Sequence, residues 1–282
     1  VTGEFKPALD VVVRAWPDSA RRVSRCVPAE VPVAITFDRV TFAVMMASPA
    51  DLEDFAVGFA ISEEIVRTPD EIVSLTVETL AAGIECRLEL APAQRDALEV
   101  RRRRMAGPVG CGLCGIDSLV AADRALPVVT SPLRVTAAQV AQGLAAMPAL
   151  QLLNAQTRGV HAAGFFIPAD GSLTLREDVG RHNALDKVIG AAARAGAQAA
   201  TGFVVMTSRV SVELVQKTAI FGCPLIAAVS VPTSRAIAAA NAAGMTLIAV
   251  GRDDGFEVFS HAGRIDTQSM NIVSGQKGNT SC

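Results

Sequence analysis

The chain has 282 residues, 50% of them hydrophobic and only 4% aromatic, with a formal net charge of -2. That size and composition suit one large or two modest folded units around an aliphatic core, and they exclude a disordered chain. The near-neutral balance also excludes the global basic field of a general nucleic-acid binder, so an anionic ligand must be met by local positive charge.

From the N-terminus, "PVAITFD" and "TFAVMMA" are apolar runs of strand length, ending at Ser48-Pro49. A helix is expected next: Ser48 can cap it, Pro49 fits its first turn, Asp51 stands three past the cap, and Leu52, Phe55, Ala56, Phe59 and Ala60 form one apolar stripe. "IVSLTVE" and "IECRLEL" alternate with period two around Ala81-Ala82-Gly83 and read as a hairpin. Residues 91–130 hold an Arg run, a cysteine motif and Pro127 with little periodicity, and read as a mobile connection, a length of loop that is usually disordered or functional.

The second half is more regular. Thr136 and Gln139 make a capping box for a helix through Leu144 and Met147 that Pro148 bends or ends. "GFFIPADGSLTL" reads as a hairpin turning at Ala169-Asp170-Gly171. Then "FVVMTS", "VELVQKTAIFG", "LIAAVS", "SRAIAAANAAG" and "TLIAV" alternate strand and helix, which implies a parallel sheet covered on both faces. The expected fold class is therefore α/β: a small α+β N-terminal unit over 1–106, a mobile connection over 107–130, a larger α/β domain with a mixed or parallel sheet flanked by helices over 131–266, and a disordered tail over 267–282.

In open α/β sheets, ligands gather at the carboxyl ends of the strands. Those ends read Thr207-Ser208-Arg209, Ser230 to Ser234, and Gly251-Arg252-Asp253-Asp254-Gly255. Hydroxyls and helix N-termini suit phosphate, Arg252 offers a guanidinium, and an Asp carboxylate can accept from a guanine edge; ordinary polar loops are the alternative. The GxGxxG and GxxxxGK[ST] patterns are missing, which argues against a Rossmann dinucleotide site or a P-loop. On a helix beginning near Gly180, His182, Asp186 and Ile189 share one face and Asn183 and Lys187 another, either turned to a ligand or tied to neighbouring elements.

Zinc nucleobase deaminases use H-x-E with P-C-x-x-C. Here Ala163 stands where the Glu of His161's motif would be, and no second cysteine follows Cys223, so that reaction lacks its acid-base and its ligands. Of six cysteines, only Cys111 and Cys114, in "VGCGLCGID", are close in sequence. This does not resemble a secreted disulfide framework, and with no membrane-length apolar run or signal-peptide pattern the expected address is cytoplasmic, without a membrane partner. A structural zinc site needs a second close pair, and a thioredoxin-type motif expects a helix start in a βαβ unit. A glycine-flanked loop that presents thiols to a partner's active site remains, and the run Arg101 to Arg104 either favours the thiolate or is a solvated face.

Taken together, "GCGLCG", "GVHAAGF", "EDVGRHNALDKVIG", "SRVSVELVQK" and "PTSRAIAAANAAGMTLIAVGRDDGFEVFSHAGRI" resemble the FdhD family of sulfur carriers, from about Pro32 to Ile265. The resemblance implies a sulfurtransferase that accepts persulfide sulfur from a cysteine desulfurase and delivers it to the molybdenum or tungsten bis-molybdopterin guanine dinucleotide cofactor, for insertion into the formate dehydrogenase catalytic subunit. It implies Cys111 as persulfide carrier, Cys114 as its companion, and Val250, Gly251, Arg252, Asp253, Asp254 and Gly255 as the loop that binds the guanine nucleotide moiety of the cofactor. It also implies a cytidine-deaminase-like larger domain without its zinc, in line with Ala163, and no intrinsic metal. Arg158 departs from the glycine expected there in many relatives. The two nucleotide arms of such a cofactor suit a homodimer. Two alternatives stand beside this reading: a chaperone that binds the cofactor without moving sulfur, and a CxxC disulfide oxidoreductase.

Overall fold

The computed structural model describes residues 5–17, 21–105, 126–252 and 255–266. An antiparallel ribbon of β1 (Ala8–Arg14) and β2 (Arg22–Pro28) comes first. It is followed by β3 (Val31–Phe37), β4 (Val40–Ala47), helix α1 (Leu52–Ser62), β5 (Ile72–Leu80), β6 (Gly83–Leu90) and helix α2 (Pro92–Met105). These strands form a sheet in the order β4-β3-β6-β5, with β3 and β6 parallel. The expected strands and hairpin are present. Val31, Val33, Ile35 and Phe37 of β3 and Ile84, Cys86, Leu88 and Leu90 of β6 alternate onto the buried face beneath α1.

Two local expectations differ. α1 begins at Leu52 behind Asp51, which is left-handed (φ 53) and makes no capping bond with its side chain. Ser48 is spent elsewhere: its hydroxyl accepts from Val179 N–H at 3.1 Å, 131 residues away, a bond of tertiary origin that outcompetes a local cap. Residues 92–105, read as part of an aperiodic connection, are helical. Pro92 suits a first turn, Ala91 O accepts from Gln94 and Arg95 N–H, and Leu98 is a buried apolar side chain in an otherwise charged sequence, so the hydrophobic period is nearly silent.

The second half comprises β7 (Val135–Thr136), α3 (Ala137–Leu150), α4 (Leu152–Thr157), β8 (His161–Ile167), β9 (Ser172–Asp178), α5 (Arg181–Arg194), β10 (Phe203–Met206), α6 (Val212–Phe221), β11 (Leu225–Ala228), α7 (Ser234–Ala242), β12 (Thr246–Arg252), β13 (Gly255–Ser260) and β14 (Ile265–Asp266). The capping box at Thr136 forms with both of its bonds, and Pro148 lies in the last turn of α3. The main sheet runs β13-β12-β11-β10-β8-β9, with β10, β11 and β12 parallel and the outer strands antiparallel. The architecture is thus α/β with a mixed sheet, as expected.

Strand alternation divides the core. Val204, Met206, Ile226, Ala228 and Leu247 face a cluster shared with α1, α5 and the N-terminal sheet. Phe203, Val205, Leu225, Ala227 and Ile248 face the other way, against Val140 and Met147 of α3. The halves are joined by α1 crossing antiparallel over α5 at almost backbone contact. A Cβ added at Gly58 would stand 1.7 Å from Asp186 O, and one at Gly190 would stand 1.9 Å from Asp54 O. α1 is accordingly buried on all sides from Asp54 to Ser62. Because the obstacle is backbone on both helices, Gly58→Ala is expected to lower the unfolding free energy by more than about 2 kcal/mol, the upper range of overpacking costs, in a urea melt. An unchanged midpoint would mean that the helices can separate freely.

Candidate functional site

Because β8 is antiparallel to β10, its first residue lies at the same sheet edge as the last residues of β10, β11 and β12. That edge gathers His161, the N-terminus of α5 at Gly180, Thr207 to Ser211 before α6, Val229 to Thr233 before α7, and Val250 to Arg252. Thr207 Oγ1 accepts from Ala162 N–H at 2.9 Å and lies 3.3 Å from Ala162 O, pinning the end of β10 to the start of β8. The bridge between Val210 and Pro232, with Thr233 N–H on Val210 O at 2.9 Å, joins the next two loops.

The motif around α5 divides into a buried half and an open half. Lys187 and Asp178 are fully buried and form an ion pair of 2.7 Å. Every remaining polar atom of that pair is met: Asp178 accepts from Ser48 N–H, Gly180 N–H and Asn183 Nδ2, and Lys187 Nζ donates to Ser48 O at 3.0 Å. Asn183 Nδ2 also donates to Met46 O at 2.9 Å. One turn further along, Asp186 accepts from Ser62 Oγ at 2.6 Å and from Lys217 Nζ at 3.0 Å, and Lys217 also reaches Glu63 at 3.1 Å. Burial opposes the Lys217 ammonium, but the charges of Asp186 and Glu63 outweigh it and hold its pKa above the ordinary lysine value. Asn183, Asp186 and Lys187 therefore tie α5 to α1, α6 and β4; of the two roles open for this helix, theirs is structural.

Arg181 and His182 are the open half. His182 Nε2 lies 3.4 Å from Ser211 Oγ and 4.0 Å from Glu213. Burial, aided by the charge of Arg181, depresses its pKa to about 4, against the pull of Glu213. His161, half-buried, is lowered by the same two causes. Arg181 Nε is buried and has no hydrogen-bond partner, and the side chains of Arg209 and Arg252 are exposed and likewise unpaired among the described residues. A cation with an unsatisfied N–H beside two neutral imidazoles is arranged to receive an anion. Arg181 was not singled out in the sequence, although it stands in the densely charged motif, because nothing local separates it from the ion-paired residues that follow.

Of the residues expected at the cofactor loop, Val250, Gly251 and Arg252 end β12 and Gly255 opens β13, with a register break between Ala249 and Arg252. Val250 has a left-handed backbone (φ 55), a costly state for a β-branched residue, and its N–H donates to Ser230 O at 3.3 Å. Gly251 is required by contact: a Cβ there would stand 2.5 Å from Leu144 Cδ1 and 3.2 Å from Ala228 O. Asp253, Asp254, Cys111 and Cys114 lie outside the described residues. Among the described residues this edge combines a strained strand end, a glycine at close packing and unpaired guanidiniums, and the guanidiniums suit an anionic ligand. Cys223 precedes β11 and so lies at the opposite sheet edge from His161. Its thiol sits against Gly202 O and Leu225 O, and burial pushes its pKa up to about 12. The two residues that invited comparison with deaminase ligands thus cannot share a metal, and the described residues contain no cluster of three or more metal-ligating side chains.

Two measurements check this division. Lys187→Met should destabilise the fold by about 3–5 kcal/mol, as expected when one member of a buried pair is removed, with Asp178 left uncompensated. His182 binds its proton at about 4 in the folded chain and at 6.5 when unfolded. Its contribution is therefore complete above pH 6.5 and is lost as pH falls towards 4. The stability difference between His182→Gln and wild type should shrink or invert across that window in urea melts; a difference independent of pH would contradict the environment described.

The FdhD/NarQ family model matches residues 28–266. The chain is 52% identical over 242 residues to the sulfur carrier protein FdhD of Agrobacterium fabrum, covering 86% of this chain and 89% of that protein. It is 50% identical over 243 residues to the protein of that name from Brucella abortus (86% and 90%) and 49% identical over 245 residues to that of Xanthomonas campestris (86% and 87%). Among solved structures it is similar to a Desulfotalea psychrophila protein provisionally described as a formate dehydrogenase accessory protein, with a TM-score of 0.69, 25% identity and coverage of 92% of this chain and 98% of that one. On this sequence similarity, with a fold shared along nearly its whole length, the chain belongs to the FdhD/NarQ family.

Proposed function

We propose that this protein is a sulfur carrier that serves formate dehydrogenase, with Cys111 as the carrying thiol. The observation that carries the reading is the roughly 50% identity to proteins named sulfur carriers across 86% of the chain. In the first step the Cys111 thiolate attacks the outer sulfur of a cysteine desulfurase persulfide. A sulfur–sulfur bond forms at Cys111, the donor's bond breaks, and the donor cysteine leaves as thiolate with no net redox change. In the second, the Cys114 thiolate attacks the inner sulfur of the Cys111 persulfide. The outer sulfur leaves as hydrosulfide, reduced by the two electrons that oxidise the pair to a disulfide, and a cellular dithiol restores both thiols.

The acceptor is the bis-molybdopterin guanine dinucleotide cofactor, handled as cargo. Its guanosine diphosphate arms fit the sheet edge described above: Arg181, Arg209 and Arg252 offer guanidiniums to phosphate, the N-termini of α5, α6 and α7 add backbone donors, and Asp253 or Asp254 accepts from the guanine edge. Burial and the charge of Arg181 lower the pKa of both His161 and His182, so Arg181 is the fixed charge acting on the two imidazoles.

The test is mass spectrometry after incubation with a cysteine desulfurase and cysteine. The peptide containing Cys111 and Cys114 should gain about 32 Da, one sulfur atom as a persulfide, and lose it on treatment with a thiol reductant. Cys111→Ala should abolish the gain, while Cys114→Ala should retain it and fail in release. A chain that supports formate dehydrogenase activity in cells as Cys111→Ala would be a chaperone only, and one that forms the disulfide but holds no sulfur would be an oxidoreductase; either result overturns the proposal.

A further inference from the structure

A cavity of about 550 Å³ lies where the start of β1, the junction of α3 with α4 and strand β9 come together, a volume in the range of binding pockets. Leu150, Leu152, Leu153 and Leu175 supply its apolar wall. Leu150 is 43% exposed and Leu152 70%, so that wall opens to solvent. Most of the polar groups beside it are already satisfied. Arg176 Nε donates to Asp54 at 2.8 Å and lies 3.4 Å from Asp51, and Glu177 accepts from the N–H groups of Leu153 and Asn154 at 2.7 and 2.8 Å. Lys6 is different: its exposed ammonium has no partner among the described residues.

Further unpaired cations surround the opening. Pro28 is the register partner of Ala8, which lines the cavity, and it stands against Gly159, where an added Cβ would be 3.0 Å from Pro28 Cγ. Arg158 is therefore at the rim, exposed and without a partner among the described residues. Its backbone is left-handed (φ 54) at the end of α4, a conformation that glycine adopts without strain. No bond within the described residues offsets that cost. Arg22 and Arg25 of β2, the strand that packs on α4, are exposed and unpaired as well, and they and Lys6 outnumber the exposed acids Asp10 and Glu30.

We propose that this cavity and its cationic rim dock a partner protein through a segment in which a large apolar side chain is flanked by acidic residues. The apolar chain enters among the four leucines, and the carboxylates meet Lys6 and Arg158 in charge-assisted hydrogen bonds. An apolar anchor in a pocket, ringed by polar contacts that exclude water, is the anatomy of a binding hot spot. A polynucleotide would engage the cations but leave the leucine wall uncovered, so the combination favours a peptide. The position also places the partner. Arg176 and Glu177 are the register partners of Ala163 and Ala162, and Arg158 precedes His161 by three residues, so a protein seated here is held alongside the cationic sheet edge. This assignment does not depend on the sulfur-carrier reading, and its test involves neither sulfur nor cofactor.

The experiment is selection of a phage-displayed library of random peptides on the immobilised full chain, followed by fluorescence anisotropy of the enriched peptides in solution. They should carry Leu, Ile, Met or Phe between Asp or Glu residues, and their affinity should fall as salt is added. Leu152→Glu, at a side chain already open to solvent, should weaken them by about 10-fold or more, the scale of a lost anchor. Arg158→Gly relieves the left-handed backbone while removing the charge, and should weaken them by about 3-fold; Arg158→Lys should keep most of the affinity. Thermal melts of the three variants, expected to match or exceed wild type, separate loss of contact from loss of fold. Failure to enrich any peptide, enrichment of basic or uncharged ones, or affinities unchanged in Leu152→Glu overturns the proposal. So does an oligonucleotide or a second copy of this chain that occupies the surface in place of the peptides, seen as loss of oligonucleotide binding or of assembly mass in Leu152→Glu.

Discussion

The structure turns on the contact between α1 and α5. Two glycines, Gly58 and Gly190, let the helices meet at backbone distance, and the fully buried Lys187–Asp178 pair fixes the start of α5 against the chain between β4 and α1. A buried ion pair contributes little net stability compared with an apolar pair of similar volume, but it imposes a geometry, because any shift leaves a charge unmet in a dry interior. Here it sets where the first turn of α5 can lie, and so where Arg181 and His182 are presented.

Charge is partitioned accordingly. Below the sheet edge each ionised group is matched: Asp178 with Lys187, Asp186 with Lys217, and Asp54 with Arg176 and Arg194. At the edge itself the cations are unmatched, with Arg181, Arg209 and Arg252 free of partners among the described residues. A chain with a net charge of -2 thus presents local positive charge without a global basic field, which suits a discrete anionic cargo better than a polyanion. The strained backbone of Val250 stands at the same edge, where strain of this kind marks sites maintained for a purpose.

Features encoded locally were legible in the sequence. The Thr136–Gln139 box, the hairpins turning at Ala81-Ala82 and at Gly171, the helix start at Gly180 and the alternating strands and helices all rest on residues within a few positions of one another. What was hidden depends on distance along the chain. Ser48 has the local pattern of a cap, yet it bonds with residues 130 positions away. The helix α2 buries Leu98 within a charged sequence, too little apolar surface to announce a period. Gly58 and Gly190 are unremarkable until their helices are seen to cross. At the site, the strand-end loops were found by a topological rule, whereas Arg181 was distinguishable from Asp186 and Lys187 only once partners could be assigned.

The central claim is that a buried network holds the first turn of α5 so that Arg181 meets the phosphates of a guanine nucleotide. Calorimetric titration with guanosine diphosphate, comparing wild type with Arg181→Gln, tests it most directly. The account predicts saturable binding to wild type and an affinity lower by about 10-fold or more in the variant, the consequence of losing one charge-assisted hydrogen bond, with thermal unfolding of the free protein unchanged. Equal affinities, or no binding by wild type, would contradict it.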